Sequence, residues 1–493
     1  MVKNNLKVTS KFYVTTPIYY ANDIPHIGHA YTTLAADVLA RWHKQKGEDV
    51  WFLTGTDEHG KKIAEAAEKV GESPKQFVDG LIPKFKDAWK KLNIDYNRFI
   101  RTTDKDHEKI VKDILQKVYD KGDIYLGDYE GLYCTGCEAY YTEKDLEDGC
   151  CPIHKKKVEV LKESTYFFRL SKYQKKLLDL YKKGFILPQF REKDIINRVK
   201  EGLNDFSISR TSFDWGIPLP FDKKHVCYVW FDALYNYYSG SGKDKKYWPA
   251  DVHLIGKEII WFHTVYWPAM LMSAGIELPK NVFAHGFWTF DSQKISKSVG
   301  KIINVDELIA LTGNVDSVRY FLMRHIPFGD DGDFSEQALI DRHNNELANK
   351  LGNLVSRVSG MIEKNGISKT DVKLLKKLNE KKIEKLMGSY EFDKALNEIF
   401  AFVDVCNEYV QSKKPWETKD KKVLFELKES ILKIADLLLP FIPESAEKIK
   451  KTFSAKKIVK GDVLFRKIEN SLVDGLKDGI KNSELVKGTK KGL

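Results

Sequence analysis

A periodicity that switches from strand to helix twice within residues 12–70 limits what this chain can fold into. Phe12-Tyr13-Val14-Thr15-Thr16 is a short apolar, β-branched run and reads as a strand. Pro17 and Pro25 break it, and residues 30–46 then carry Ala, Leu and other apolar residues at helical spacing. Residues 48–55 read as a second buried strand and residues 61–70 as the next helix. Such alternation predicts an α/β fold with a doubly wound parallel sheet, whose ligands bind beyond the carboxyl ends of the strands. His26 and His29 stand at one such end, at the entrance of the first helix, and Thr56-Asp57-Glu58-His59-Gly60 stands at another. A helix entrance offers phosphate unpaired N–H groups and a favourable dipole. The two imidazoles add donors, and Gly28 lets a ligand approach the backbone. Asp57 and His59 face the same ligand; N-capping by Asp57 is compatible with this.

With 493 residues the chain holds two to four domains. Apolar strands resume at residues 226–231, 251–256 and 281–286, so the sheet domain is split between residues 1–120 and 220–290. Residues 121–219 form a connective insertion with four cysteines, many tyrosines, the basic run Lys155-Lys156-Lys157 and a strand at 165–170. Residues 291–345 are a junction domain, and residues 346–468 repeat apolar positions three and four apart, as a helical bundle does. Residues 469–493 read as a short helix and a frayed tail. No apolar run reaches the roughly 18 residues of a membrane span, and the N-terminus lacks an apolar signal core. A cytoplasmic protein with no membrane partner is the expectation. The net charge of +11, from 81 basic and 70 acidic residues, suits RNA or simply a lysine-rich composition.

Six cysteines are too few for a disulfide scaffold. Cys134-Thr135-Gly136-Cys137 and Cys151-Pro152-Ile153-His154 are two knuckles with tetrahedral zinc spacing. The expected ligands are Cys134, Cys137, Cys151 and His154, with Cys150 the alternative to Cys151. Four protein ligands close a site, so the metal is structural. Cys227 and Cys406 read as buried thiols.

A second polar motif, Lys294-Ile295-Ser296-Lys297-Ser298, is dense in donors that suit a polyphosphate, although alone it reads as a solvated loop. His26-Ile27-Gly28-His29 followed by this motif on a split sheet domain resembles the class I aminoacyl-tRNA synthetases. Pro17-Ile18-Tyr19-Tyr20-Ala21-Asn22, the 56–60 segment, Tyr228-Val229-Trp230-Phe231-Asp232-Ala233-Leu234 with Tyr237, and Ile255-Gly256-Lys257-Glu258-Ile259 with Phe262-His263 resemble the methionyl branch, over residues 10–465. An insertion of about 100 residues is too short for the hydrolytic editing domain of the aliphatic-specific relatives.

The resemblance implies a split Rossmann-like sheet domain, a zinc-containing insertion and an anticodon-binding helical bundle. It implies in-line attack of a methionine carboxylate on the α-phosphate of ATP with Mg²⁺ on the phosphates, then transfer from the adenylate to the terminal ribose of tRNA. His26 and His29 would stabilise the phosphates, Gly28 would let adenine lie close, and Lys294 and Lys297 would clamp pyrophosphate. Arg210 matches a family arginine near the site, and Ile295 stands where the family most often has Met. Ile18, Tyr20, Asp57, Trp230, Ala233, Tyr237, Phe262 and His263 would form the methionine site, with Asp57 on the ammonium and His263 near the thioether. Aromatic walls suit a polarizable sulfur, although by chemistry alone core packing explains them equally. Asn353 and Arg357, four apart on a helix, and Trp416 after Pro415 would read the anticodon of initiator and elongator tRNA(Met); Trp416 as a helix-packing contact is the other reading. Two alternatives have definite signatures. A cysteinyl enzyme would place its zinc at the catalytic site, whereas these cysteines lie in the insertion; a non-catalytic tRNA-binding paralogue would lack His26, His29 or Lys297, and all are present. About 25 residues follow the recognisable part, too few for a C-terminal barrel, so a monomer is expected.

Overall fold

In chain order the strands of the first unit are β1 (Lys11–Tyr20), β2 (Asp49–Asp57), β3 (Arg98–Arg101), β4 (Ile124–Cys134), β5 (Ala139–Tyr141), β6 (Glu159–Phe168), β7 (Ile186–Leu187), β8 (Phe206–Ser207), β9 (Ser209–Arg210), β10 (Val226–Cys227), β11 (Val252–Gly256) and β12 (Asn281–His285). The structure, a computed structural model, describes residues 10–135, 139–141, 143–153, 155–290, 293–294 and 304–469. Among these, residues 10–90 and 94–287 make one compact unit, and residues 91–93, 288–294 and 304–469 make the other.

The first unit is built on a parallel sheet with strand order β3-β2-β1-β11-β12-β7. The order turns back between β1 and β11, which is where a doubly wound sheet opens a crevice. β1 pairs with β11 through Val14↔Val252 and Thr15↔His253. Beyond Thr15 it follows β2 with one extra residue, Thr15 facing Leu53 and Ile18 facing Gly55. This bulge corrects the expected break at Pro17. A proline gives no ladder N–H, and a bulge asks for none there, so the strand runs on to Tyr20.

α1 (Ile27–Gln45) packs Ala30, Leu34, Val38 and Leu39 into the interior. Burying each large aliphatic contributes about 1.5–3 kcal/mol. Lys44 in its last turn complements the dipole, and Gly47, at φ 82°, follows the helix end. The expected strand at 226–231 is a strand only to Cys227; Val229–Leu234 is helical. A continuous apolar run does not separate the two, and Asp232 in the first turn favours the helix.

Within the insertion, β6 starts at Glu159 and pairs antiparallel with β4, in a sheet ordered β5-β4-β6-β8. The 121–219 segment is not wholly separate from the parallel sheet. Its β7 forms the edge strand through Ile186↔Val282 and Leu187↔Phe283.

In the second unit Trp288–Phe290 pairs with Gln293–Lys294 and Gly332–Asp333. Asn304 and Glu307 form a capping box on helix Val305–Thr312. Glu336–Arg342 continues through the wide turns of His343–Gly352 into Asn353–Asn365. Glu380–Gly388, Phe392–Lys413, Lys421–Leu438 and Pro443–Phe453 follow. Leu396, Ile399, Val403, Cys406 and Val410 line the buried stripe of one, and Leu427, Ile431, Ile434 and Leu438 that of another. Burial pushes the Cys406 thiol up to about 12, as suits an inert core cysteine. The expected tail helix lies almost entirely outside the described residues. No helix among the described residues is long and apolar enough to cross a membrane.

Candidate active site

α1 starts at Ile27, earlier than its apolar spacing indicates, because the two histidines cap it. The Gly28 N–H donates to His26 Nδ1 at 3.1 Å, and the His26 N–H donates to His29 Nδ1 at 3.2 Å. Both Nδ1 atoms therefore accept, and each neutral ring carries its proton on Nε2. The rings stack with centroids 3.9 Å apart. The result is a pair of stacked imidazole donors, their planes 25° apart, at the positive end of a helix. Gly28 has a local reason to be glycine. A Cβ there would lie 3.0 Å from His26 Cε1, so the folded-back ring needs the space.

Tyr20 and Asp57 face each other at the carboxyl ends of β1 and β2, and Asp57 is 4% exposed. Ile18 and Tyr20 lie on the part of β1 beyond its last pairing with β11. Trp230 stacks on Phe262 with centroids 3.9 Å apart and planes 2° from parallel. The His263 ring stands edge-on to Trp230 at 6.2 Å. His263 Nδ1–H donates to the Ile259 carbonyl at 2.9 Å, and the Tyr237 hydroxyl donates to Nε2 at 2.6 Å. Burial lowers the His263 pKa to about 4 and raises that of Tyr237. This wall is thus uncharged at neutral pH, with its one imidazole proton already committed. Ala233 is buried one residue from Asp232. The structure brings Trp230, Phe262, His263 and Tyr237 into one cluster, and Tyr20 and Asp57 to neighbouring strand ends.

A wide helical turn positions His263. Phe262–Tyr266 is π-helical, with the Trp267 N–H reaching back to the Phe262 carbonyl. Pro268 is the cause: it cannot donate to Thr264, and its ring crowds that carbonyl. The Tyr181 hydroxyl takes the Thr264 carbonyl instead, at 2.8 Å.

His59 departs from the expectation that it faces a ligand. It is 4% exposed and its Nδ1 meets Asp232 Oδ2 at 2.7 Å. Burial works against its charge, but Asp232 holds its pKa above the ordinary value. Asp232, His107 and Ser239, absent from the sequence-derived site, are linked to it. An aspartate inside an apolar helical run is a sequence signal for a buried partner; His107 had no such signal. Glu58, fully buried, accepts from Arg101 Nε at 2.7 Å and Nη2 at 2.8 Å, which secures the same loop.

Arg210 lies on β9, 2% exposed, donating to Ser207 Oγ and the Ser209 carbonyl at 2.7 Å and stacking 4.6 Å from the Tyr228 ring. Lys294 is in the short strand Gln293–Lys294 of the second unit, and Lys297 lies outside the described residues. In the insertion, Cys134 and Cys151 are buried thiols, whereas Cys150 is half-buried. The Cys151 N–H donates to the Lys156 carbonyl and its carbonyl accepts from the Lys155 N–H, forming a tight turn. Cys137 and His154 lie outside the described residues, and no group of three or more metal-binding side chains gathers among the described ones. In the bundle, Asn353 is exposed, and the Arg357 guanidinium lies 5.5 Å from the centre of the Trp416 ring. Trp416 is 40% exposed, which argues against a pure packing role, while Pro415 beside it is buried.

Residues 12–157 and 142–359 match the family model described as tRNA synthetases class I (M), and residues 371–473 match the anticodon-binding domain of tRNA ligase. The methionine–tRNA ligase of Caldanaerobacter subterraneus subsp. tengcongensis is 49% identical over 466 residues, covering 89% of this chain and 73% of that protein. That of Thermotoga maritima is 43% identical over 507 residues, covering 93% and 80%. Among solved structures, the Mycobacterium tuberculosis methionyl-tRNA synthetase in complex with methionyl-adenylate superposes with a TM-score of 0.86 at 41% identity, covering 90% of this chain and 94% of that one. The sheet order, the capped histidine pair and these matches agree: the chain belongs to the methionyl-tRNA synthetases of class I.

Proposed function

We propose that the crevice beyond β1, β2 and β11 activates methionine with ATP and that the helical bundle selects tRNA(Met). As a member of its family the chain is a methionine–tRNA ligase, which forms methionyl-adenylate and pyrophosphate and then esterifies tRNA. The observation that carries the residue assignment is that the Nδ1 atoms of His26 and His29 each accept a backbone N–H, which leaves their Nε2–H groups as donors at a helix entrance, as an α-phosphate acquiring charge requires. Asp57 takes the methionine ammonium. Ile18, Tyr20, Trp230, Ala233, Tyr237, Phe262 and the neutral His263 take its side chain, and the uncharged wall favours a thioether over a charged group. Lys294 and Lys297 clamp pyrophosphate, and Arg210 supports the site from beside Tyr228. Mg²⁺ bound with ATP neutralises phosphate charge. The protein's own contribution is orientation and fixed dipoles.

The same reading gives the insertion one structural zinc held by Cys134, Cys137, Cys151 and His154. Two buried cysteines, one in a tight turn, suit a closed thiolate site, and the half-buried Cys150 suits it less. Elemental analysis should find one zinc per chain, lost in Cys151→Ser and kept in Cys150→Ser; the reverse pattern would exchange the two ligands.

The anticodon reading rests on the exposed Trp416 beside the half-buried Arg357, with the exposed Asn353 one turn before Arg357. Stacking an unpaired base contributes about 1–3 kcal/mol. Trp416→Ala should therefore reduce kcat/KM for tRNA about 10- to 100-fold while methionine-dependent ATP–pyrophosphate exchange stays within about twofold. Equal loss of both activities would make Trp416 structural.

A further inference from the structure

One buried carboxylate ties together pocket segments that lie far apart in the chain. Asp232 is 1% exposed. Its Oδ2 meets His59 Nδ1 and its Oδ1 meets His107 Nε2, both at 2.7 Å. His107, fully buried on the helix Lys105–Asp120, continues through Nδ1 to Ser239 Oγ at 2.7 Å. His59 stands two residues after Asp57, Asp232 stands between Trp230 and Ala233, and Ser239 stands two residues after Tyr237. His59, Asp232 and Ser239 therefore each sit beside a different part of the pocket.

Burying a carboxylate is costly unless it is both paired and hydrogen-bonded, and an apolar filling of the same volume is often at least as stable. Burial tends to raise the Asp232 pKa, yet His59 and His107 hold it below the ordinary value, so the carboxylate stays ionised. His107 itself borders none of the assigned pocket residues in sequence, and packing alone does not call for two directed hydrogen bonds there.

We propose that His107 is a positioning residue for the amino-acid pocket: through Asp232 and Ser239 it fixes the strand end bearing Asp57, the helix bearing Trp230 and Ala233 and the turn bearing Tyr237 in one arrangement. This rests on the reading of that pocket as the methionine site. Without the network, methionine has to order the three segments itself, which lowers affinity but leaves the bound complex competent.

The test is steady-state ATP–pyrophosphate exchange with the full chain, varying methionine and ATP in turn. His107→Leu removes both hydrogen bonds. His107→Gln keeps a donor for Asp232 and an acceptor for Ser239. Asp232→Asn keeps the shape and removes the charge. His107→Leu and Asp232→Asn should raise KM for methionine about tenfold, with kcat and KM for ATP within about twofold, and His107→Gln should restore KM to within about threefold of the parent. An unchanged methionine KM, parallel changes in kcat and both KM values, or a glutamine variant as impaired as the leucine one would overturn the proposal. If His107→Leu does not fold, Asp232→Asn decides by the same criteria. Asp57→Asn is the control. If it too leaves the methionine KM unchanged, the pocket reading has failed; if it alone raises KM, only the positioning role has failed.

Discussion

Replacing His29 with alanine is expected to lower kcat of methionine-dependent ATP–pyrophosphate exchange by about 10²- to 10³-fold, the usual effect of removing one donor aimed at developing charge. On the proposed reading His29 has two tasks, and their magnitudes separate them. Its Nδ1 accepts the His26 N–H and so closes the helix entrance. Losing such a cap costs about 1 kcal/mol of stability, which does not account for the roughly 3–4 kcal/mol that the expected rate loss represents. The check is kcat at saturating methionine and ATP together with a thermal melt. A rate within fivefold of the parent, or a rate loss matched by unfolding at the assay temperature, would remove His29 from the chemistry. His26→Ala should act in the same direction, since its ring receives the Gly28 N–H as that of His29 receives the His26 N–H, and either variant loses the stack between them.

Asp57→Asn should raise the KM for methionine by roughly 30- to 5,000-fold, because truncating one partner of a buried charge pair costs about 2–5 kcal/mol. Asp57 is nearly inaccessible at the end of β2, where its carbonyl accepts the Ala21 N–H at 3.0 Å. Asparagine keeps the shape and the backbone bond, so the variant isolates the charge. The KM for ATP should stay within about twofold. A methionine analogue without its amino group should bind parent and variant equally, since it has no ammonium to lose. Weaker binding of that analogue to the variant would mean that Asp57 shapes the pocket instead of pairing with the ligand.

Much of this was legible locally. The strand-to-helix switch, the histidine pair at a helix entrance and the three-and-four spacing of the bundle over residues 346–468 are each properties of a few neighbouring residues. Local patterning also contained the cause of the π-helical turn, since Pro268 denies Thr264 its usual partner. It erred where two structures share one pattern: the apolar run 226–231 suits strand or helix, and packing chose helix from Val229. Pro17 suggested a break because a ladder needs its N–H, and the bulge in β1 removed that need.

The sequence by itself thus determined the alternating architecture and which residue types stand at the strand ends, because periodicity and turn chemistry act over a few residues. Only the tertiary structure decided which of those side chains face the crevice and which face each other. His59 and Asp232 are 173 residues apart, and His107 and Asp232 are 125 apart. No local pattern encodes such pairs. They exist because packing the two halves of the sheet domain buries a carboxylate, and burial obliges it to find its partners.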